Sequence, residues 1–274
     1  MKNLIEISEL EKSLPFLHGQ LGNVICRGIM KFLNLDALNA LYNRNSIYQG
    51  PEFAKKILED CKVSYSVSGI EKLSKITGPF ITISNHPYGG IDGIILADMI
   101  GHLFPNYKLI VNKLLEKVVA LSDNFIPVTP NGRTALSPTA DSISGIRAAL
   151  THIRNGNPLG IFPAGAVSDF SFKNMGVQDR EWQLPIMRLI QKCHVPIVPI
   201  RFFDGNSALF YLLGLINWKI RVLRLPSEVF NKKGHTERVG IGNIISLEEQ
   251  NEVKNIEEYT YLLRSSVYSM KLPD

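Results

Sequence analysis

Phe80-Ile81-Thr82-Ile83-Ser84-Asn85-His86-Pro87-Tyr88-Gly89-Gly90-Ile91-Asp92-Gly93 runs directly into the apolar stretch Ile94–Ile100. A short β-branched run, a Pro/Gly loop and a longer apolar run predict a buried strand, a tight turn and a helix. A strand that passes straight into a helix is the repeating unit of an α/β sheet, and the flanking sequence repeats it. Strand signals recur at Lys108–Val111, Asn124–Val128, Leu159–Phe162, Val195–Phe203 and, by alternation, Lys219–Arg224, with a short one near Arg238–Ile241. Between them, Thr139–Arg154 puts Ile143, Ile146, Leu150 and Ile153 on one helical face, and Gly156 stands where such a helix ends. A final helix is expected over Ile256–Met270, and Ser246 with Glu249 has the form of a capping box.

Upstream the texture differs. Residues 16–64 read as helical, with Leu21, Val24, Ile25, Ile29, Phe32 and Leu33, then Phe53, Ile57 and Leu58, at three- and four-residue spacing. The expected organisation is an N-terminal helical extension, 1–64, and an α/β domain, 65–274, with a mixed sheet flanked by helices. No internal repeat, low-complexity tract or linker-like stretch interrupts it.

Composition narrows the class. Of 274 residues, 45% are hydrophobic and 20% charged, too apolar and too weakly charged for disorder. The net charge of +5 is a modest excess that draws a surface toward anionic partners, yet no clustered basic stripe or binding motif accompanies it, so no nucleic-acid partner is expected. Cys26, Cys61 and Cys193 are widely spaced, without the C-x-x-C pattern of a zinc or redox site, so no metal and no disulfide are expected and a reducing, cytoplasmic environment fits. Met1–Pro15 carries Glu6, Glu9, Glu11 and Lys12 where a signal peptide needs an apolar core. No stretch reaches the ~18 apolar residues of a membrane span.

The loop after the first strand is also the most chemically informative segment. A histidine at the carboxyl end of a buried strand, with an aspartate at the following helix start, lies where open α/β sheets place their sites. Imidazole can take a proton from a hydroxyl, and a carboxylate on its other nitrogen fixes the tautomer and stabilises the cation. Locally, a second reading stands beside this one: His86 bonding a loop carbonyl and Asp92 merely capping the helix.

A second loop, Ile161-Phe162-Pro163-Ala164-Gly165-Ala166-Val167-Ser168, again leaves a strand. With His86 and Asp92 it resembles the lysophospholipid (glycerolipid) acyltransferase superfamily, whose first block is Asn-His, a spacer and Asp, and whose third is Phe-Pro-Glu-Gly-Thr-Arg-Ser. Asn124-Phe125-Ile126-Pro127-Val128 resembles the second block and Val195-Pro196-Ile197-Val198-Pro199-Ile200 the fourth, so the likeness covers roughly 65–205 in the family's order. Two departures stand out. Five residues rather than four separate His86 from Asp92, a difference that Gly89 and Gly90 can absorb. Ala164, Ala166 and Val167 replace the third block's Glu, Thr and Arg, removing groups that help hold a phosphate-bearing acceptor in other members.

The chain looks most like the branch labelled hemolysin-related acyltransferases, through Phe-Pro-Ala-Gly and a downstream series: Gly205-Asn206-Ser207, Leu209-Phe210, Gly214, Leu225-Pro226, Glu228 and Asn231-Lys232-Lys233-Gly234. That branch is associated with aminolipids of the ornithine, glycine or serine type, whose acceptor hydroxyl need not lie near a phosphate. The resemblance implies a glycerolipid-acyltransferase-like fold over 65–274. It also implies O-acyl transfer from an acyl carrier protein or coenzyme A thioester, as co-substrate rather than bound cofactor, to a lyso-lipid hydroxyl. His86 would be the base, Asp92 its orienting partner, and N–H groups near Gly165 the oxyanion donors. Asn85, Phe162, Pro163, Lys113 and Arg133 are further candidate substrate-binding residues. The alternatives are a 1-acylglycerol-3-phosphate acyltransferase of phospholipid synthesis and a non-catalytic, lipid-binding hemolysin-like protein.

Ala208–Ile216 is an apolar run ending in Asn217-Trp218-Lys219, with Arg221 and Arg224 beyond. It is too short to span but suits the headgroup boundary, where Trp and cations settle. A second candidate lipid surface lies in the N-terminal helices, where Arg27, Lys31 and Arg44 accompany Ile29, Phe32 and Leu33. The expected location is the inner face of the cytoplasmic membrane, peripherally attached.

Overall fold

The computed structural model describes residue 28 and residues 33–129, 140–172 and 175–272. Apart from residue 28, the helical reading of 16–32, and with it Cys26, Arg27 and Lys31, lies outside the described residues. From Leu35 the chain forms α1 (Leu35–Asn45), α2 (Gly50–Cys61), β1 (Ser64–Ser68), β2 (Ile81–Ser84), α3 (Ile91–Leu103), β3 (Lys108–Asn112), β4 (Phe125–Val128), α4 (Ala140–Arg154) and β5 (Leu159–Ile161). A short hairpin of β6 (Asp169–Ser171) and β7 (Gly176–Gln178) follows, then α5 (Leu184–Cys193), β8 (Ile197–Phe202), α6 (Ala208–Ile216), α7 (Trp218–Leu223) and α8 (Leu225–Asn231). The chain closes with β9 (Thr236–Ile241), α9 (Leu247–Asn251) and α10 (Ile256–Tyr268).

Seven strands form one sheet in the order β1-β9-β8-β2-β5-β3-β4. Neighbours are parallel except at β8 and β9, where Ile200 faces Ile241 and Phe202 faces Val239 in antiparallel register. Helices cover both faces, which is why the central strands read as nearly unbroken apolar runs. All four residues of β2 are buried. In β8, Val198, Ile200 and Phe202 face a core shared with α2 and α3, through Phe53, Ile57, Ile95 and Ile100. Ile197 faces the opposite core with Ile81, Ile83 and Ile161, closed by Met187 of α5 and Leu263 of α10. Gly156, with φ +83°, ends α4, and the Ser246–Glu249 capping box forms in both directions.

One predicted element is overturned. Lys219–Arg224 is not a strand, because residues 218–223 form α7. The alternation is real but its polarity is inverted: Arg221 is 2% exposed, whereas Ile220 and Val222 are 45% and 39% exposed. Burial follows a specific ion pair from Arg221 to Asp169 rather than hydrophobicity, and no sheet face is made. The β6–β7 hairpin gave no sequence signal, since its three-residue strands are half-buried and lack a run of β-branched residues.

No helix among the described residues is long and apolar enough to cross a membrane.

Candidate active site

β2 delivers the site to the carboxyl edge of the sheet. Its last pairing is completed by a side chain: Asn85 donates through Nδ2 to Phe202 O and accepts the Phe202 amide on Oδ1, both at 2.8 Å. Asn85 thus lies against β8 and is 6% exposed. The chain leaves the sheet at His86, whose carbonyl accepts the Ser168 amide at 2.9 Å.

His86 Nδ1 lies 2.7 Å from Asp92 Oδ2. The helix cap is Gly90, so Asp92 sits in the first turn of α3 rather than at the cap. Its carboxylate gathers the loop, accepting the amides of Tyr88 (3.0 Å) and Gly89 (3.3 Å) on Oδ2 and that of Gly93 (3.0 Å) on Oδ1. Gly89 adopts φ +77°, the conformation that lets the five-residue spacer close. Asp92 is fully buried, whereas the His86 side chain keeps 18% of its surface. Burial, the largest single influence, would lower the imidazole pKa, but the Asp92 charge and hydrogen bond together with the Asp179 charge outweigh it and the net shift is upward. Burial would raise the Asp92 pKa, and here the His86 charge and the loop amides prevail and hold it down. With Nδ1–H toward the carboxylate, Nε2 carries the lone pair and is the nitrogen that can take a proton from a bound hydroxyl.

The third-block loop packs directly against this pair. The Phe162 ring stacks on the imidazole, with centroids 4.1 Å apart and a 32° tilt. Pro163 is buried and its carbonyl accepts the Gln183 amide, while Ala164 O accepts Gln183 Nε2. The Gly165 amide donates to Phe162 O at 3.0 Å. That bond closes a turn and engages the Gly165 amide, so of the N–H groups near Gly165 expected to meet an oxyanion it is the neighbours that remain to do so.

Lys113 begins the turn after β3, at the same sheet edge but two strands from β2, roughly 10 Å by ordinary strand spacing. Arg133 lies outside the described residues. His194 is in the left-handed conformation that ends α5, and burial pushes the adjacent Cys193 thiol up to about 11.

Four further features were not legible as site residues. Asp179, just after β7, is buried and accepts from both the His86 amide and the Ser168 hydroxyl. Arg221 donates to Ser168 O at 3.1 Å, to Val167 O at 3.3 Å and to Asp169. A guanidinium therefore does reach the third block, from α7, but backbone carbonyls and a carboxylate engage it. Tyr88 donates to Glu237, and Lys232 lies 4.0 Å from the Tyr88 ring centroid and donates to Gly205 O. Asn206 Nδ2 donates to Tyr88 O, while Ser207 caps α6 and bonds Glu228. The Gly-Asn-Ser and Asn-Lys-Lys-Gly segments thus converge behind the His86–Asp92 loop, a convergence across more than a hundred residues of sequence that linear reading does not reveal.

Comparisons with known proteins follow this geometry. A family model described as Acyltransferase matches residues 10–273. The chain is similar to a lyso-glycine lipid O-acyltransferase of Bacteroides thetaiotaomicron, 26% identical over 275 residues that cover 97% of each chain. It is similar to a protein of the same description from Phocaeicola vulgatus, 26% identical over 279 residues covering 97% of this chain and 96% of that one. Among solved structures, a 1-acyl-sn-glycerophosphate (LPA) acyltransferase, PlsC, from Thermotoga maritima aligns with a TM-score of 0.46 at 13% identity, over 88% of this chain and 94% of that one.

Proposed function

Because this chain belongs to the acyltransferase family, we propose that it transfers a fatty acyl group from an acyl carrier protein or coenzyme A thioester to the hydroxyl of a lyso-aminolipid, of the glycine-lipid kind. The observation that carries the chemistry is the 2.7 Å His86–Asp92 pair, with the carboxylate buried and the imidazole open to solvent. His86 Nε2 takes the acceptor's hydroxyl proton as its oxygen attacks the thioester carbonyl. Asp92 stabilises the imidazolium, and the tetrahedral intermediate collapses with loss of the C–S bond, the proton passing to the leaving thiolate. No covalent enzyme intermediate is needed. With the Gly165 amide engaged, the neighbouring Ala166 amide is the oxyanion donor in this reading.

The acceptor class is supported by the descriptions of the two relatives and by the third block. Val167 stands where phosphate-acceptor members carry Arg, and the nearby Arg221 guanidinium is 2% exposed and already paired. Among the described residues, a phosphate dianion would find no open bidentate partner at the third block. The acceptor reaches the site from a membrane surface in contact with α6 and α7, where Leu212, Ile216 and Trp218 are more than half exposed. The protein then works peripherally at the inner face of the cytoplasmic membrane, where carrier and coenzyme A thioesters are available.

The test is incubation of the purified protein with labelled acyl thioesters and a panel of lyso-lipids, with products identified by mass. A lyso-aminolipid should have the highest kcat/KM. A higher value for lysophosphatidate would replace the acceptor assignment with that of phospholipid synthesis, and no transfer to any acceptor would overturn the catalytic reading.

A further inference from the structure

A second buried carboxylate stands behind the general base. Asp179 is 5% exposed and receives hydrogen bonds from three separate segments. On Oδ1 it accepts the His86 amide at 3.1 Å and the Ser168 hydroxyl at 2.6 Å, and on Oδ2 the Trp182 indole N–H at 3.1 Å. Its own peptide is anchored to α10. The Asp179 amide donates to the Tyr268 hydroxyl, and its carbonyl accepts from Arg264, each at 2.7 Å. Three donors converge on the carboxylate, so the arrangement complements its ionised form. Burial pushes its pKa up, against which those hydrogen bonds act.

Asp92 fixes the imidazole through its ring, whereas Asp179 fixes the peptide from which that ring hangs. Through Ser168, whose amide in turn donates to His86 O, the same carboxylate locks the third-block loop to the His86 loop. We propose that Asp179 is a positioning residue of the transfer reaction, setting the His86 peptide against the third-block loop and placing a second negative charge behind the imidazole. The inference rests on the general-base reading given above. It also gives the site a carboxylate from beyond the hairpin where the third block itself carries Ala164.

The test is the pH dependence of kcat/KM, measured with thermal melting as a control, for Asp179→Asn and Ser168→Ala. Asp179→Asn removes the charge while keeping the shape. It should lower the plateau roughly tenfold to a hundredfold, less than loss of the base, and move the acid limb to lower pH. Ser168→Ala withdraws a hydrogen bond that favours the ionised carboxylate, so its charge is more easily lost and the acid limb should move in the same direction, to lower pH, by less than in Asp179→Asn. A displaced limb is not produced by a general loss of folded protein, which lowers the plateau at every pH alike. An unmoved limb in both variants, or in Ser168→Ala alone if Asp179→Asn does not fold, overturns the proposal. His86→Ala run in parallel separates the two ideas: if it turns over like the parent, the general-base reading itself fails, whereas a dead His86→Ala with unmoved limbs rejects only the role of Asp179.

Discussion

The Tyr88 hydroxyl donates to Glu237 Oε2 at 2.5 Å, tying the loop that carries His86 to β9, the strand that runs antiparallel to β8. Burial, joined by the Glu237 charge, pushes the Tyr88 phenol far above its usual range, so it remains a donor. Tyr88→Phe leaves Glu237 buried with only Lys232 beside it. The variant should lose about 1–3 kcal/mol of stability, the cost of a buried unsatisfied acceptor, in chemical denaturation. Its transfer rate should fall too, because the Tyr88 amide is one of the donors that hold Asp92.

The rate should rise with pH through an acid limb above the ~6.5 of ordinary histidine, because only neutral His86 can accept a proton. Asp92→Asn removes the charge responsible; it should cost about 10²-fold or more in kcat/KM and shift the limb down. Stability follows the same pair. The His86 contribution, from a raised pKa, is complete below its unfolded value and is lost as pH rises through the folded one. The Asp92 contribution, from a lowered pKa, is present above the unfolded carboxylate value and is lost as pH falls through the folded one. Melting temperatures of parent and Asp92→Asn should therefore converge as pH falls through the folded Asp92 value and draw closer, without meeting, as pH rises through that of His86, and a constant difference across the range would contradict the assignment.

Gly89 is the hinge of the long spacer. At φ +77° an added Cβ would meet Val167 Cγ2 at 2.6 Å and Leu225 Cδ2 at 2.7 Å. Gly89→Ala should cost at least ~1–2 kcal/mol from the backbone conformation alone. By driving the loop away from the third block it should lower transfer more than stability, and assays paired with melting curves check the ratio. Gly90→Ala, where a Cβ meets nothing within 4 Å, is the matched control.

Replacing Arg221 by Met should be strongly destabilising although the position has no part in the proton transfers. It removes the partner of Asp169 and the donors to two carbonyls of the third-block loop. Asp169 keeps about a third of its side-chain surface and the Arg180 ion pair, so the loss should fall to about 2–4 kcal/mol, below that of a wholly buried pair. Urea titration measures it.

The α6–α7 face should carry vesicle binding. Phe210 is fully buried beneath Arg221 and does not belong to that face, so the informative change is Leu212, Ile216 and Trp218 to Ser. Flotation with anionic vesicles should drop several-fold in this variant, and salt should weaken the parent's binding without abolishing it. Flotation equal to the parent would move the contact to another surface.

The strand-loop-helix at 80–100 was legible because each of its parts has a local cause: β-branched residues, Pro and Gly, then an apolar run of about two helical turns. His86 and Asp92 were legible as candidates for the same reason, being six residues apart, one on the short loop and the other in the first turn of the helix it enters. Arg221 misled the reading because a charged residue inside an apolar alternation is normally the solvent-facing one, and only the position of Asp169, over fifty residues away, reverses that. Asp179, Lys232 and Glu237 stayed hidden because they are brought to the loop by sheet order and by the β6–β7 hairpin. None of these relations leaves a pattern along the chain.

The hydrogen bonds between Asn85 and the Phe202 peptide have a bearing on how this architecture can be re-engineered. Since a carboxamide imitates one more peptide unit of the ladder, the sheet is finished before the loop begins, and residues can be added or removed between His86 and Asp92 without shifting the register of the seven strands. Asn85 itself is the exception to that freedom. Its conversion to Asp, by mutation or by spontaneous deamidation, would set a carboxylate oxygen against the Phe202 carbonyl, turning an ageing reaction of a single side chain into the unzipping of the central strand pair at the point where the site begins.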